Sequence, residues 1–479
     1  MNPVIHCCPE SLAAAINAGL PQPGDRVPAG SLAALALMAV LGCVTGAEAT
    51  TFVVNTAGDP GSPGTTSLRQ AVAAANLSSG NFVEFNSSLI GSSITLSNGE
   101  IAFNHAMHIV GPGSGKLTIS GNDASRIFDF SGDITKPSGV YISGLTLTQG
   151  NVSAAIYDQG GAIYSYGAYP LMLKDMVISG NRAATGGGLY VNQGSTTLDH
   201  VRVSGNYATL NGGGIAAAST VSSVYYLNVT SSTISGNSTN GYGGGVMAIG
   251  LYGVAVTESL ISGNRLLAPA VPTAHQGGGG IALMNLGYYN SYYHQQRGFA
   301  QLFNSTISGN SAYARGGGIG IFDAATGNLT QCFFSTITGN DAYAYGYGNG
   351  IYALGKPSIS SSIVANNASR QDDADLVGNF SAQYSLIKTL GSATLSGGTP
   401  GDIFGHDPLL GPLTDNGGPT LSMLPAATSP VINTGGGLGP VGQVDQRGLP
   451  RPAGAGDDIG AVERQFPEGL IFRNGFDPR

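Results

Sequence analysis

The sequence is poor in several residue types, and each shortage excludes a class of protein. It has no Trp, and only 10% of its residues are charged. Its 19 basic and 27 acidic side chains give a formal net charge of -8, and no basic cluster occurs. We therefore expect no nucleic-acid partner, since such partners need clustered basic side chains. Because 42% of the residues are apolar, the low charge does not indicate intrinsic disorder.

Long hydrophobic runs are also missing. Residues 31–44 form an apolar run of 14 positions, which is too short to span a bilayer. The run follows Arg26 and precedes Ala47-Glu48-Ala49, an A-x-A cleavage signal. The sequence thus predicts that residues 1–49 are an export signal and that the mature chain has no transmembrane helix. A lipid anchor through Cys43 is the alternative, because Val40-Leu41-Gly42-Cys43 is similar to a lipobox.

Cysteine is scarce in the expected mature chain. Of the four cysteines, Cys7, Cys8 and Cys43 lie in the export signal, so only Cys332 remains. A disulfide framework is excluded despite the predicted export. We expect Cys332 to pack as a small apolar residue.

Glycine, with 76 residues, is abundant and recurs in one repeated unit. The unit reads Ile-Ser-Gly-Asn and is followed by a glycine triplet. The best copies lie at residues 178–181, 203–206, 234–237 and 307–310, with triplets at 186–188, 212–214, 243–245 and 316–318. Weaker copies lie at residues 119–122, 261–264, 337–340 and 363–366.

The period of this unit predicts the fold class. Complete periods are 25–31 residues long, and each contains three short strands separated by Gly, Asn and Ser turns. That content fits one coil of a solenoid, so we predict an all-β, right-handed, single-stranded parallel β-helix of roughly ten coils stacked about 4.8 Å apart. The Ile of each unit should point inward, and the glycines should allow sharp bends.

The asparagines of the unit are expected to form a structural ladder. Asparagines stacked one above another in successive coils can hydrogen-bond to one another and satisfy the turn backbone. Their recurrence in every coil favours this role over a ligand site. The predicted ladder comprises Asn181, Asn206, Asn237, Asn264, Asn310 and Asn340.

A short helix is predicted near the start of the mature chain. Ser67 and Gln70 have the spacing of a capping box, in which each side chain bonds to the other residue's amide. Leu68, Val72 and Ala75 follow at helical spacing, so the helix should run from about residue 68 to residue 76. We expect this helix to cover the open end of the first coil.

Two further stretches carry a resemblance to known bacterial proteins. The repeats resemble exported right-handed parallel β-helix proteins, including the repeats of polymorphic outer-membrane proteins. Residues 65–72 are similar to the Cys-Ser-Leu-Arg-Glu-Ala motif that opens many of them, with Thr66 for Cys and Gln70 for Glu. Five blocks, at residues 407–413, 415–420, 429–432, 445–448 and 458–461, are similar to the choice-of-anchor Q domain. The resemblance implies a secreted or surface protein and implies no particular activity.

These features divide the chain into five parts. Residues 1–49 are the export signal, 50–80 the first strand and capping helix, and 81–390 the repeats. Residues 391–465 form the choice-of-anchor Q-like region. Residues 466–479 are similar to a sorting tail of exported proteins, and a docking strand is the alternative.

The irregular coil after Asn264 is the predicted ligand-binding element. The spacing from Asn264 to Asn310 is 46 residues, and the excess falls in residues 265–276 and 286–300. Loops that leave a rigid scaffold often bind ligands, and tyrosines suit sugar rings or protein surfaces. The alternative is that these aromatics fold onto the neighbouring coil. The candidates are Tyr288, Tyr289, Tyr292, Tyr293, His294 and Arg297, with a second group at Tyr343, Tyr345, Tyr347 and Tyr352.

Catalytic chemistry has weaker support in the sequence. Asp372, Asp373 and Asp375 form a tight acidic cluster that could bind Ca²⁺, although a solvated loop is the simpler interpretation. The acidic residues of the best coils do not fall at equivalent positions, and the five lysines are scattered. No other cofactor is expected.

The sequence therefore predicts an exported or surface-located β-helix that binds a polysaccharide or a surface protein without catalysis. A polysaccharide lyase or glycoside hydrolase on the same fold is one alternative, and a structural spacer is the other.

Overall fold

A computed structural model describes residues 49–131, 139–154, 158–167, 170–219, 225–267, 276–286, 299–327, 330–343, 348–367, 374–437 and 443–465. The predicted export signal up to residue 48, with Cys43, and the predicted tail at residues 466–479 lie outside these ranges. Within the described ranges, every helix is too short or too polar to cross a membrane.

The described residues form four sheets in which all strands are parallel. Sheet 1 contains Thr51–Val54, Asn81–Phe85, Met107–Val110, Val140–Ser143, Leu171–Lys174, Thr196–Asp199, Tyr226–Thr230, Gly253–Thr257, Phe299–Phe303, Thr330–Phe333, Ser358–Ser360, Asn379–Gln383 and Thr394–Leu395. Sheet 2 contains Ser93–Thr95, Thr118–Ser120, Thr146–Thr148, Val177–Ser179, Arg202–Ser204, Thr233–Ser235, Leu260–Ser262, Thr306–Ser308, Thr336–Thr338, Ile363–Ala365, Leu386–Ile387 and Ile403–Phe404.

The other two parallel sheets are shorter. Sheet 3 contains Asn151–Val152, Arg182–Thr185, Tyr207–Asn211, Ser238–Thr239, Arg265–Leu266, Ser311–Ala312 and Asp341–Ala342. Sheet 4 contains Ile101–Ala102, Phe128–Phe130, Ile163–Tyr166, Leu189–Asn192, Ile215–Ala218, Val246–Ile249, Ile281–Met284, Ile319–Ile321, Ile351–Ala353 and Leu376–Val377.

Each coil of the chain visits the sheets in turn, so the predicted parallel β-helix is confirmed. One complete coil runs through Thr196–Asp199, Arg202–Ser204, Tyr207–Asn211 and Ile215–Ala218. Each of these strands pairs with the equivalent strand of the next coil. The prediction of three strands in a coil is wrong for the central coils, because the segment after the ladder asparagine also pairs and forms sheet 3.

The core is built from columns of stacked apolar side chains. Val203 is in register with Ile234, Ile234 with Ile261, and Ile261 with Ile307. All four side chains are fully buried. Each one stabilises the fold by about 1.5–3 kcal/mol, because strand alternation points it inward at every coil.

A ladder of hydrogen bonds joins the asparagines of successive coils. Asn206 donates both its backbone N–H and its Nδ2 to Oδ1 of Asn237, each at 2.9 Å. Its Nδ2 also donates to the Ile178 carbonyl oxygen at 3.0 Å, so the amide connects three coils. The same two bonds to the next coil are made by Asn181, Asn237, Asn264, Asn310 and Asn340.

The ladder ends at an aspartate. Asn340 donates to Asn367, and Asn367 donates its N–H and Nδ2 to Oδ1 of Asp375, at 2.9 and 2.8 Å. A terminal member has only to accept, which suits a carboxylate. The weak repeat ending at Asn366 was therefore placed one residue early, since Asn366 occupies the left-handed position (φ 59°) that glycine fills elsewhere. Asn122 is exposed and stands outside the ladder.

Serines form a second ladder at the turn between sheets 1 and 2. The backbone N–H of Ser232 donates to the hydroxyl of Ser259, and that of Ser259 to the hydroxyl of Ser305. Farther along, Ser362 donates to Ser385, whose N–H donates to Oδ1 of Asp402 at 2.8 Å. Both ladders thus finish on a carboxylate acceptor.

The predicted N-terminal helix is present as α1, Leu68–Ala75. Ser67 accepts from the Gln70 N–H, and Gln70 Oε1 accepts from the Ser67 N–H, which completes the capping box. Leu68 and Val72 are buried in the same core as the first strands. Arg69 clamps both carboxylate oxygens of Asp59 at 2.8 Å. Burial of Asp59 opposes its ionisation, but the hydrogen bonds from Arg69 and the Ser97 N–H lower its pKa overall.

Two other short helical turns and one hairpin complete the described elements. Ser87–Leu89 is a 3₁₀ turn, and α2 is Ala324–Gly327. Gln443–Val444 and Pro450–Arg451 form an antiparallel pair.

The C-terminal region packs on the outer face of sheet 2. Val431 and Ile459 form a second apolar cluster with Ile363 and Leu386. Gln446 accepts from the Thr306 hydroxyl at 2.5 Å, and the Ala461 N–H donates to the Thr336 hydroxyl at 3.0 Å. This contact buries the later part of the sheet 2 face and leaves its earlier part uncovered.

A buried charge network holds this region together. Arg451, fully buried, lies 3.5 Å from Glu463 and donates to the carbonyl oxygens of Asp458 and Gly460 at 2.7 and 3.0 Å. Its guanidinium lies 4.3 Å from the centre of the Phe334 ring. Burial raises the pKa of the Glu463 carboxyl, which Arg451 and two backbone N–H groups partly offset.

Candidate functional site

The predicted tyrosine loop lies outside the part of the chain that the structure describes. The undescribed candidates of this loop are Tyr288, Tyr289, Tyr292, Tyr293, His294 and Arg297, and those of the second group are Tyr345 and Tyr347. Of the remaining tyrosines, Tyr343 is 47% exposed on a sheet 3 edge and Tyr352 lies on the outer face of sheet 4. Tyr352, which is 8% exposed, belongs to a column of outward-facing side chains that neighbouring side chains largely cover.

This surface is a column of side chains on the outer face of sheet 4, which we call the sheet-4 strip. Strand alternation turns every second side chain outward, and the parallel register stacks these positions coil upon coil. In order, the column contains Asp129, Tyr164, Tyr190, Ala216, Met247, Ala282, Gly320 and Tyr352. From Tyr164 to Tyr352 it crosses seven strands, or about 29 Å at the usual strand spacing.

The first half of the strip is a tyrosine stack with a charged end. The Tyr164 and Tyr190 rings are parallel within 2°, with centres 5.7 Å apart. Arg126 lies 5.0 Å from the Tyr164 ring centre and pairs with Glu100 at 2.6 Å and Asp129 at 3.3 Å. Burial and the neighbouring Asp129 raise the pKa of the Glu100 carboxyl, although Arg126 opposes that rise. One positive charge is therefore shared by two carboxyl groups.

A pocket of about 240 Å³ lies at the Tyr352 end of the strip. Phe322 lies between Tyr242 and Tyr352, with ring centres 5.3 and 6.0 Å away. Arg315 stands 4.7 Å from the Tyr352 ring centre and donates to the Tyr352 hydroxyl at 2.7 Å. The remaining lining comes from Met284, Asn285 and Leu354. The pocket therefore combines aromatic faces with one fixed guanidinium.

A glycine makes room for the central ring of this pocket. A Cβ on Gly320 would approach the Phe322 ring to 2.5 Å, which no real contact allows. Met247 and Met284 contribute adaptable apolar surface to the neighbouring coils. The strip is thus continuous in apolar character from Tyr164 to Tyr352, with an arginine near each end.

The strip is suited to stacking and hydrogen bonding. Aromatic faces and arginine planes bind flat apolar faces that carry polar edges. A metal role has no support here, because the described residues contain no group of three His, Cys, Asp or Glu side chains that could hold an ion. Asp372 and Asp373 lie outside the described residues, and Asp375 is committed to the asparagine ladder and to the Thr389 N–H at 2.7 Å.

The sequence contained a signal for this strip that repeat counting overlooked. The outward position comes two residues after the glycines in Gly-Gly-Gly-Leu-Tyr up to Tyr190, and three residues after them in Gly-Gly-Ala-Ile-Tyr up to Tyr164. Aligning the coils on their glycines would have shown the recurring aromatics. Phe322 and Tyr242 lie outside that column, so only the folded chain brings them to it.

The sequence matches no protein-family model and no curated protein. Among solved structures, the chain is similar to the crystal structure of pectate lyase Pel9A, with a TM-score of 0.45 and 14% identity, covering 88% of this chain and 97% of that one. It is also similar to the crystal structure of tailspike protein 3 of bacteriophage CBA120, with a TM-score of 0.37 and 10% identity, covering 70% of this chain and 58% of that one. The four parallel sheets of the chain itself establish that it is a parallel β-helix protein.

Proposed function

We propose that the protein is an exported scaffold that binds an extended polysaccharide along the sheet-4 strip. The observation that carries the proposal is the apolar strip with aromatic rings at both ends, the Tyr164–Tyr190 stack at one and the Tyr242–Phe322–Tyr352 pocket beside Arg315 at the other. A strip about 29 Å long is matched by a chain ligand rather than by a single sugar. A surface protein that offers an extended apolar edge is the competing ligand.

The test is retention of the secreted chain on a panel of insoluble polysaccharides. Phe322→Ala removes the central ring and should abolish retention, because stacked aromatic contacts are worth about 1 kcal/mol each and act together. Tyr207→Ala is the control, since it removes an aromatic ring that packs under Arg182 at 4.6 Å on sheet 3, outside the strip. Retention that survives Phe322→Ala, or that both variants lose equally, would remove the strip as the binding site.

A second candidate function, cleavage of the bound polysaccharide, is favoured by one feature. Glu100 has a raised pKa and shares Arg126 with Asp129 at the first end of the strip, where an acid and a base could act on a bound chain. Soluble products should be released from a panel polysaccharide if this candidate holds. Glu100→Gln should then stop release while retention persists. If the protein is retained on a polysaccharide but releases no soluble product at any pH, cleavage is refuted and binding without catalysis is the function.

A further inference from the structure

A second cleft lies on the outer face of sheet 2, and none of its lining residues belongs to the sheet-4 strip. Its floor is the uncovered part of the outer face of sheet 2, and its roof is the loop of residues 415–421. The space between them is about 510 Å³. That volume falls within the roughly 300–1,000 Å³ of typical small-molecule sites.

The roof of the cleft is held rigidly. Thr414 and Ser422 exchange backbone hydrogen bonds at 3.1 and 3.0 Å, which closes the loop. Gln446 Nε2 donates to the Thr420 hydroxyl at 3.0 Å and to the Leu421 carbonyl oxygen at 3.1 Å. Since Gln446 is itself bonded to Thr306, the loop is fixed to the coil beneath. A ligand would therefore enter a preformed site and would not have to order it.

The floor presents polar side chains to the cleft. Among the lining residues are Thr233, Ser235 and Ser262, which occupy outward positions of two neighbouring strands. Arg202 is exposed beside them and makes no ion pair with another described residue. Its five donors have no acceptor of their own within that part of the chain.

The charges of the lining cancel one another. Arg202 on the floor faces a lining that also contains Asp415, so the formal sum of these two groups is zero. His200 places Nδ1 2.6 Å from Asp199, which in turn lies 3.2 Å from Lys174. With Nδ1 donating to that carboxylate, Nε2 of a neutral His200 is an acceptor. An anionic ligand would meet the opposing Asp415 carboxylate, whereas a neutral one would not.

We infer that this cleft binds a short neutral saccharide with adjacent hydroxyl groups. Each hydroxyl group of such a ligand can both donate and accept a hydrogen bond. It can therefore donate to the Ser, Thr, His and Asp acceptors of the cleft and accept from its Arg and hydroxyl donors. Adjacent hydroxyls suit the fork of Arg202 and the Asp415 carboxylate, whose Oδ1 also accepts from the Gly417 N–H at 2.9 Å. Leu260 and Leu421 supply apolar surface for the carbon faces of the sugar. This site is independent of the polysaccharide binding proposed for the sheet-4 strip.

Calorimetric titration of the secreted chain tests the inference with glucose, mannose, galactose and xylose and with their short β-1,4 oligomers. We expect at least one neutral sugar to bind, and we expect Arg202→Met to weaken its binding roughly tenfold or more, as the loss of charged hydrogen bonds implies. Arg265→Met is the matched control, because Arg265 is also exposed at the start of a short strand but lies on sheet 3. Thr233→Val removes one floor hydroxyl at nearly constant shape and should weaken binding by a smaller factor.

Four results would overturn the inference: no neutral sugar binds, Arg202→Met leaves affinity unchanged, Arg265→Met weakens binding as much, or glucuronate binds better than glucose. Phe322→Ala separates this site from the sheet-4 strip. If the Phe322→Ala variant no longer binds short sugars but the Arg202→Met variant still does, the sugars occupy the strip. That result would refute the inferred cleft site and would not contradict the proposed function.

Discussion

Asp375 should make the last coils of the protein less stable as the pH rises. Burial raises the pKa of its carboxyl to about 6 from the ordinary 3.8, despite hydrogen bonds from Asn367 and Thr389. A folded-state pKa above the unfolded value means that the folded chain holds the proton more tightly. The stabilisation is therefore complete below pH 3.8 and is lost as the pH rises through about 6. The shift of about 2 pKa units corresponds to about 3 kcal/mol.

The variant Asp375→Asn isolates this contribution. The new asparagine keeps an acceptor oxygen for Asn367. Its NH2 group, however, faces the Thr389 N–H, a donor that bonds to the wild-type carboxylate at 2.7 Å. That mismatch costs about 1–3 kcal/mol at every pH. Wild type should thus be the more stable at pH 4, and the difference should shrink or reverse by pH 7. Asp375→Ala removes three hydrogen bonds, leaves the Asn367 and Thr389 N–H groups without this acceptor, and should be destabilised throughout.

The measurement is local, because the end coils of a solenoid open independently of the rest. Hydrogen exchange of the Asn367 and Thr389 amides, corrected for intrinsic rates, reports the opening free energy from pH 4 to pH 7. Denaturant unfolding followed by circular dichroism gives the global counterpart. The reasoning fails if the difference between wild type and Asp375→Asn stays constant over that range.

Three further predictions concern the scaffold. Ile234→Asp should open its coil and cost at least about 3 kcal/mol of stability, because it would bury a charge at a fully enclosed site. Ser235→Asp, at the next position, should change the melting temperature little. Equal losses in the two variants would contradict the assignment of Ile234 to the inward face and Ser235 to the outward face. Asn264→Ala should destabilise by about 1–3 kcal/mol in denaturant because it leaves ladder donors unpaired. Asn98→Ala, at an exposed position outside the ladder, should not. Cys332 is fully buried, and burial raises the pKa of its thiol to about 12. Iodoacetamide at pH 8 should therefore label Cys332 only after the chain is denatured, which peptide mapping would detect.

The folded chain also explains why certain motif residues are where they are. Ser67 and Gln70 cap α1, while Arg69 fixes Asp59 and the carbonyl oxygens of Gly99 and Glu100, so this motif closes the first coil. In the C-terminal block at residues 445–448, Arg447 pairs with the buried Asp445 at 2.8 Å. These motif residues therefore make structural contacts within the fold.

The sequence alone determined the coil and its period. Ile234 and its equivalents alternate with polar residues and recur at a spacing that only a stacked coil can bury, and the Ser67–Gln70 pair is a local signal that tertiary contacts do not alter. These features are decided by neighbours in the chain, or by one neighbour a fixed period away. They could therefore be read without coordinates.

Only the tertiary structure decided where the ladder ends and which surfaces are exposed. Asp375 looked like part of an acidic loop, but it lies eight residues after Asn367 in a position fixed by the last coil. Likewise, Phe322 reaches Tyr242 across two coils, and residues 415–421 meet Arg202 from more than 200 positions away in the chain. Such contacts depend on how insertions and the C-terminal region fold back over the sheets. That choice minimises exposed apolar surface over the whole molecule, and no local pattern records it.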